Sequence, residues 1–127
     1  MDKKYVAWAA FTIYCVIIFV GSSIPGDRID IDGLGIDKLI HTVEYSILSL
    51  LLFLSLRLSS TIKMNAVFWV SAIGSSLYGL SDEIHQLFVP FREFDVLDII
   101  CNTSGSIIGA YVMFRYLNKD SRRPFKP

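Results

Sequence analysis

Histidine and cysteine are scarce in this chain, with two of each among 127 residues. Cys15 and Cys101 both fall inside apolar segments, and neither belongs to a CxxC or Cys/His spacing. A thiolate zinc site and a dithiol redox pair are thereby excluded, and both cysteines read as small buried residues. Net charge is absent too. Twelve basic residues balance twelve acidic ones, so no global field points to nucleic acid. There is no evident repeat or low-complexity tract, no Gly-rich phosphate loop and no His-Glu-x-x-His, which removes the nucleotide and zinc-protease chemistries those motifs carry.

What is present is apolar. Hydrophobic residues make up 53% and charged residues only 19%, and the charges avoid four long segments. Mean hydropathy is +0.50. The expected class is all-α, one domain over 1–127, an integral membrane bundle of four transmembrane helices with both termini cytoplasmic. The helices are expected near 5–24, 38–56, 64–85 and 96–116. The first carries no charge from Tyr5 to Ile24 and is about 30 Å long, enough to span the hydrocarbon core. A cleaved leader ending at Gly21-Ser22-Ser23 is the rival reading, but the apolar run is long for one. The aromatics Tyr5, Trp8, Phe11, Tyr14 and Phe19 read as lipid-facing or interfacial. Pro25-Gly26 ends this segment. The loop that follows carries Asp27, Arg28, Asp30 and Asp32 but lacks the closing glutamate of a calcium loop.

In the second segment Asp37, His41 and Glu44 share one helical face, flanked by Lys38 and Tyr45. In the third, Ser71, Ser75, Tyr78, Asp82 and His85 form a stripe. Glu83 and His85, two apart, point to nearly opposite sides of such a helix. Either the helix breaks early, or Asp82 with His85 or Gln86 faces the site and Glu83 reaches another partner. Pro90 ends any helix by Val89. In the fourth, Asp98, Asn102, Gly105 and Gly109 align. The two glycines read as bundle packing ahead of self-dimerisation, with a homo-oligomer left open. The tail from Asn118 is basic and expected to be poorly ordered.

Charge also sets the expected orientation. Lys3, Lys4, Arg57, Lys63, Arg115, Lys119, Arg122, Arg123 and Lys126 fall on one side of such a bundle; only Arg28, Lys38 and Arg92 fall on the other. Positive loops stay in the cytoplasm. All acidic residues except Asp2 and Asp120 lie toward the opposite side. The expected site is therefore an extracytoplasmic layer of Asp37, Lys38, His41, Tyr78, Asp82, Glu83, His85, Gln86, Arg92, Asp95, Asp98 and Asn102 on a bacterial cytoplasmic membrane protein.

The pattern resembles the VanZ-like family of small bacterial membrane proteins. The matching residues are Asp37-Lys38, His41 and Tyr45; then Tyr78-Gly79, Asp82-Glu83, His85-Gln86, Phe88, Pro90 and Arg92; then Asp95, Asp98, Asn102, Gly105 and Gly109. The resemblance covers Asp37 to Gly109 with a comparable first span. Phe91 stands where the family often has glycine, which puts the shape of that turn in question. The family's name comes from a member implicated in teicoplanin resistance. That implies a cell-envelope setting and brings no established reaction.

Three readings of the polar layer stay open. The groups could pair across helix ends and fix the bundle's register. They could recognise the anionic headgroup of a membrane lipid or lipid-linked envelope precursor. Arg92 would then grip phosphate, Lys38 would act as a point charge and His41 or His85 as donors, with or without a bridging divalent metal. Or they could act chemically on such a headgroup, with Asp82 or Glu83 as base, His85 as acid and Arg92 as anion stabiliser. No cofactor and no definite metal is indicated by residue type alone.

Overall fold

A computed structural model describes residues 2–26 and 35–120. Four helices follow one another: α1 Lys3–Ser22, α2 Ile36–Ser59, α3 Met64–Gln86 and α4 Val96–Asp120. The loop carrying Asp27, Arg28, Asp30 and Asp32, and the tail beyond Asp120, lie outside the described residues. The helix ends have local causes. Asp2 caps α1 by accepting the Lys4 N–H, and the Ser23 hydroxyl closes the other end on the Phe19 carbonyl at 2.6 Å. Asp95 caps α4, its Oδ1 accepting the Leu97 N–H at 2.8 Å, the geometry that satisfies an orphan N–H of a first turn. α3 stops at Gln86, ahead of Pro90, in a turn whose bonds run from Phe88 N–H to His85 and from Val89 N–H to Gln86. α4 extends past the expected end at 116, so residues 118–120 of the anticipated tail are helical.

α1, α2 and α4 are long and apolar enough to cross a membrane; α3 falls short among the described residues. Its serines, glycines, Asn65 and C-terminal Asp82 and Glu83 dilute an otherwise apolar sequence. That dilution faces inward: Ser71, Ser75, Gly79, Asp82, Glu83 and Gln86 are all buried, while Trp69, Ile73 and Leu77 are exposed. Large apolar groups outside and small or polar ones inside are the arrangement of helices that associate through close packing in lipid.

α2 and α4 form the central pair. A Cβ on Gly105 would overlap the Thr42 carbonyl and one on Gly109 the Ser46 carbonyl. Both glycines therefore exist to let the two backbones touch, and the Ser46 hydroxyl donates across the seam to the Gly105 carbonyl at 2.9 Å. Packing inside the bundle is the reading the structure supports for this pair, since both face α2 within one chain. α3 completes the core at the far end, where Phe53, Val67, Ala72 and Ala110 pack with Leu56, Phe68 and Phe114. α1 packs chiefly on α2 through Ile18, against Tyr45 and Leu48. The two cysteines are free and half-buried.

Candidate functional site

The first turns of α2 and α4 and the last turn of α3 meet at one end of the bundle. Each brings residues whose backbone position is fixed by the packing just described. Lys38, on α2, is the hub. Its ammonium donates to Asp95, to Asp98 and, at 3.3 Å, to Asp37. It thereby ties α2 to the cap and first turn of α4. Asp95 serves twice, capping α4 with Oδ1 and holding Lys38 with Oδ2. The Lys38 hydrogen bond and then the Leu97 N–H hold its carboxyl below the usual aspartate value.

One turn deeper, His41 is buried between Asp37 and Asp98. Its Nδ1 lies 3.0 Å from Asn102 Oδ1, an acceptor, so Nδ1 carries the proton in that bond. Asn102 is fully buried, like Tyr45 beside it, and its Nδ2 finds no hydrogen-bond partner among the described residues. Both flank Gly79, where a Cβ would press on the Asn102 and Tyr45 side chains. Glycine at 79 thus makes room for Asn102 and Tyr45.

From α3, Glu83 is fully buried and accepts the Asp95 N–H at 3.3 Å. Gln86 reaches Asp82 and Glu83, each at 3.4 Å. Asp82, Glu83 and Gln86 therefore face the cluster together. His85 does not. Its Nε2 lies 3.0 Å from the Ser23 hydroxyl and its ring stacks 4.7 Å from Phe19. Tyr78 also turns away, donating to the Cys15 carbonyl at 2.8 Å. At 3.6 residues per turn, Ser75, Gly79, Asp82, Glu83 and Gln86 share the inward arc of α3. Tyr78 and His85 lie to its side, against α1. The stripe that joined Asp82 to His85 in sequence is thus divided between two neighbours.

Above the cluster opens a cavity of about 770 Å³ lined by Asp37, Lys38, Gln86, Arg92, Asp95 and Asp98, with Gly26, Phe91, Glu93 and Phe94 at its rim. Arg92 donates from Nε to the Ile24 carbonyl at 3.2 Å. It makes no ion pair among the described residues, whereas Lys38 is held by three carboxylates. The turn that carries Arg92 docks on the end of α1. Gly26 N–H donates to the Pro90 carbonyl at 3.2 Å, and a Cβ there would strike the Phe91 carbonyl. Phe91 has φ +58°, the left-handed region that glycine adopts without strain. The turn keeps a glycine-like shape although its residue is phenylalanine.

The sequence model of the VanZ/LLP1 family matches residues 3–117. The chain belongs to the VanZ/LLP1 family. No curated protein and no solved structure matches it. Family and apolar helices together make it a VanZ-type membrane protein. In this VanZ/LLP1 chain, sequence reasoning missed Phe94 as cavity lining and the pairing of His41 with Asn102. The pairing joins positions 61 apart, and only the α2–α4 seam at Gly105 and Gly109 puts them opposite one another.

Proposed function

We propose that the cavity recognises the anionic headgroup of an extracytoplasmic-leaflet lipid or lipid-linked envelope precursor. The chain would cross the bacterial cytoplasmic membrane four times with both termini inside. The observation that carries this reading is the contrast between the two cations in the cavity wall. Lys38 is consumed by Asp37, Asp95 and Asp98. Arg92 gives one nitrogen to a backbone carbonyl and has no carboxylate within ion-pair distance among the described residues. A guanidinium whose terminal nitrogens meet no acceptor among the described residues suits two-pronged contact with phosphate, and α1 and α4 carry exposed apolar faces for an acyl or prenyl tail. α3 is the fourth span because its polar residues face inward and its outer face, with Trp69, Ile73 and Leu77, is apolar.

The test is lipid binding by purified protein in vesicles of phosphatidylcholine with or without phosphatidylglycerol, read by native mass spectrometry. Wild type should retain the anionic lipid and Arg92→Ala should lose it at least tenfold, while remaining folded. Equal retention by both proteins would sink the reading. In cells, expression of wild type should raise teicoplanin tolerance and Arg92→Ala at equal membrane level should not. A C-terminal reporter active only in the cytoplasm should be active; a silent one would reverse the orientation.

The Lys38 bridge favours a second role for the same cluster, fixing the register of α2 against α4. That role predicts loss of folded protein, not selective loss of lipid, when Lys38 is replaced.

A further inference from the structure

His41, Asp37 and Asp98 present three ligand atoms to one point, all within 4.8 Å of one another. We infer that they form a binding site for one divalent cation of the zinc type. This goes beyond headgroup recognition and does not depend on it.

Three features carry the inference. The first is the division of carboxylate oxygens. Lys38 takes Asp37 Oδ2 and Asp98 Oδ1. The other oxygen of each, Asp37 Oδ1 and Asp98 Oδ2, is the one nearest His41 Nε2, at 3.8 and 3.7 Å. The ammonium holds the carboxylates from one side and leaves a matched pair of oxygens on the other. A cation there adds to Lys38 and need not displace it.

The second is the histidine itself. The His41 side chain is 8% exposed, and its Nδ1 proton is committed to Asn102 Oδ1. Nε2 then carries the lone pair. It points between the two carboxylates and has no hydrogen bond among the described residues, since both distances exceed hydrogen-bond reach. A buried imidazole with Nδ1–H anchored on an amide oxygen and Nε2 directed at carboxylates is the arrangement of a metal-ligating histidine with its outer support in place.

The third is size and charge. Ligands about 2.1 Å from zinc at tetrahedral angles lie roughly 3.4 Å apart; the two histidine–carboxylate separations, 3.8 and 3.7 Å, need only a small contraction, and the third lies within 4.8 Å. Asp37, Asp95 and Asp98 outweigh Lys38 by two negative charges, and Asp82 and Glu83 face the same cluster, so charge favours a divalent cation there. Imidazole nitrogen with carboxylate oxygen selects the zinc-type ions over magnesium and calcium, which take oxygen. Asp37 and Asp98 also line the cavity, so a fourth coordination position opens toward water or an anion beside Arg92.

The experiment uses the full chain in detergent micelles, loaded with Zn²⁺, freed of excess by gel filtration and analysed for metal. Wild type should retain about one zinc per chain. His41→Gln and Asp98→Asn should weaken binding at least tenfold; His85→Gln should bind as wild type. Because a substitution in the cluster can unfold the bundle, a second measurement uses wild type and His85→Gln alone. Both loaded with Cu²⁺ should give the electron spin-echo modulation of a single imidazole nitrogen. With only two histidines in the chain, a signal kept by His85→Gln belongs to His41. Absence of stoichiometric zinc in wild type, absence of the nitrogen signal, or its loss in His85→Gln would each overturn the site. Lipid retention is read separately, so failure of headgroup recognition leaves this result distinguishable.

Discussion

The two ends of this bundle solve the same problem in opposite ways. Both bury polar atoms between helices. At the end built on Phe53, Val67, Ala72 and Ala110 the polar groups are serines; several bond within their own helix, and Ser49 and Ser75, nearer the middle, have no side-chain partner among the described residues. Ser55 donates to the Leu51 carbonyl and Ser71 to Val67, four residues back in each case. Such a group is satisfied as soon as its own helix forms and asks nothing of its neighbours. At the other end the bonds join residues far apart in the chain. Lys38 meets Asp98, His41 meets Asn102, and Glu83 meets the Asp95 N–H. None of these exists until two helices meet, and the set of them needs three. The serine end is tolerant packing; the charged end is a cooperative network in which each missing partner strands another. A network that depends on every member, placed under an open cavity, is the more demanding arrangement.

Replacing the hub should separate the two ends most sharply. Lys38→Met leaves Asp37, Asp95 and Asp98 facing one another without a cation. Removing one partner of a buried charged group costs about 3 kcal/mol or more, and Lys38 is partly exposed, which places the expectation near that lower figure. Unfolding in mixed micelles, followed by circular dichroism, measures it. Ser71→Ala, at the other end, should change stability by less than about 0.5 kcal/mol, since a self-bonded serine gives way to a better helix former. If the two substitutions cost the same, the contrast between the ends is wrong.

Next in size is the seam that couples them. Gly105→Leu must push Thr42 away from α4, and overpacking of this kind costs about 1–3 kcal/mol. The shift would also move Asn102 relative to His41, so Zn²⁺ retention should fall along with stability. Stability lost with zinc binding kept would mean that the polar end holds its own geometry independently of the seam.

Much of this architecture is legible in the sequence because membrane helices declare themselves by uncharged length, and small residues at intervals of four mark a close seam. The helices, the inward Gly105 and Gly109, and the gathering of Asp37, His41, Asp82, Asp98 and Asn102 all follow from that. What does not follow is the allocation of partners. A stripe read at a fixed period cannot say how wide the buried arc is or where it is centred, so it joins His85 and Tyr78 to Asp82, whereas both pack against α1. Nor can composition tell a committed cation from an uncommitted one. Lys38 and Arg92 look equivalent as anion binders until the cap of α4 places Asp95 over Lys38. By pattern α3 reads as a span like the others, but the serines that suit a helix packed among neighbours also lower its hydropathy.

The turn above the charged end offers a smaller effect of opposite sign. Phe91 is exposed and holds φ +58°, so Phe91→Gly should relieve about 1 kcal/mol of backbone strain and raise the melting temperature. Phe91→Ala removes the same ring without relieving the backbone and should give no such gain. A gain from both would assign the effect to the side chain instead of the turn.

The smallest effect tests whether the network's rim is electrostatic. Asp95 is outside the helices, and Lys38 holds its carboxyl below the ordinary aspartate value of 3.8. A depressed folded-state value means that the unfolded chain takes up the proton first. The stabilisation is therefore complete above the ordinary value and is lost as pH falls through the lower, folded one. Asp95→Asn keeps an oxygen for the Leu97 N–H and removes only the charge. The stability difference between wild type and Asp95→Asn should be flat above about pH 5 and shrink below pH 4. Its size at neutral pH should stay under about 1 kcal/mol, because the Asp95 side chain is 38% exposed and water screens such a pair. Raising salt should reduce it further, whereas His41 to Asn102, buried and uncharged on the acceptor side, should be indifferent to salt. A difference unchanged from pH 7 to pH 3 would mean that Asp95 acts through its cap alone. The cooperative network would then be confined to Lys38, His41, Asp98 and the groups beneath them.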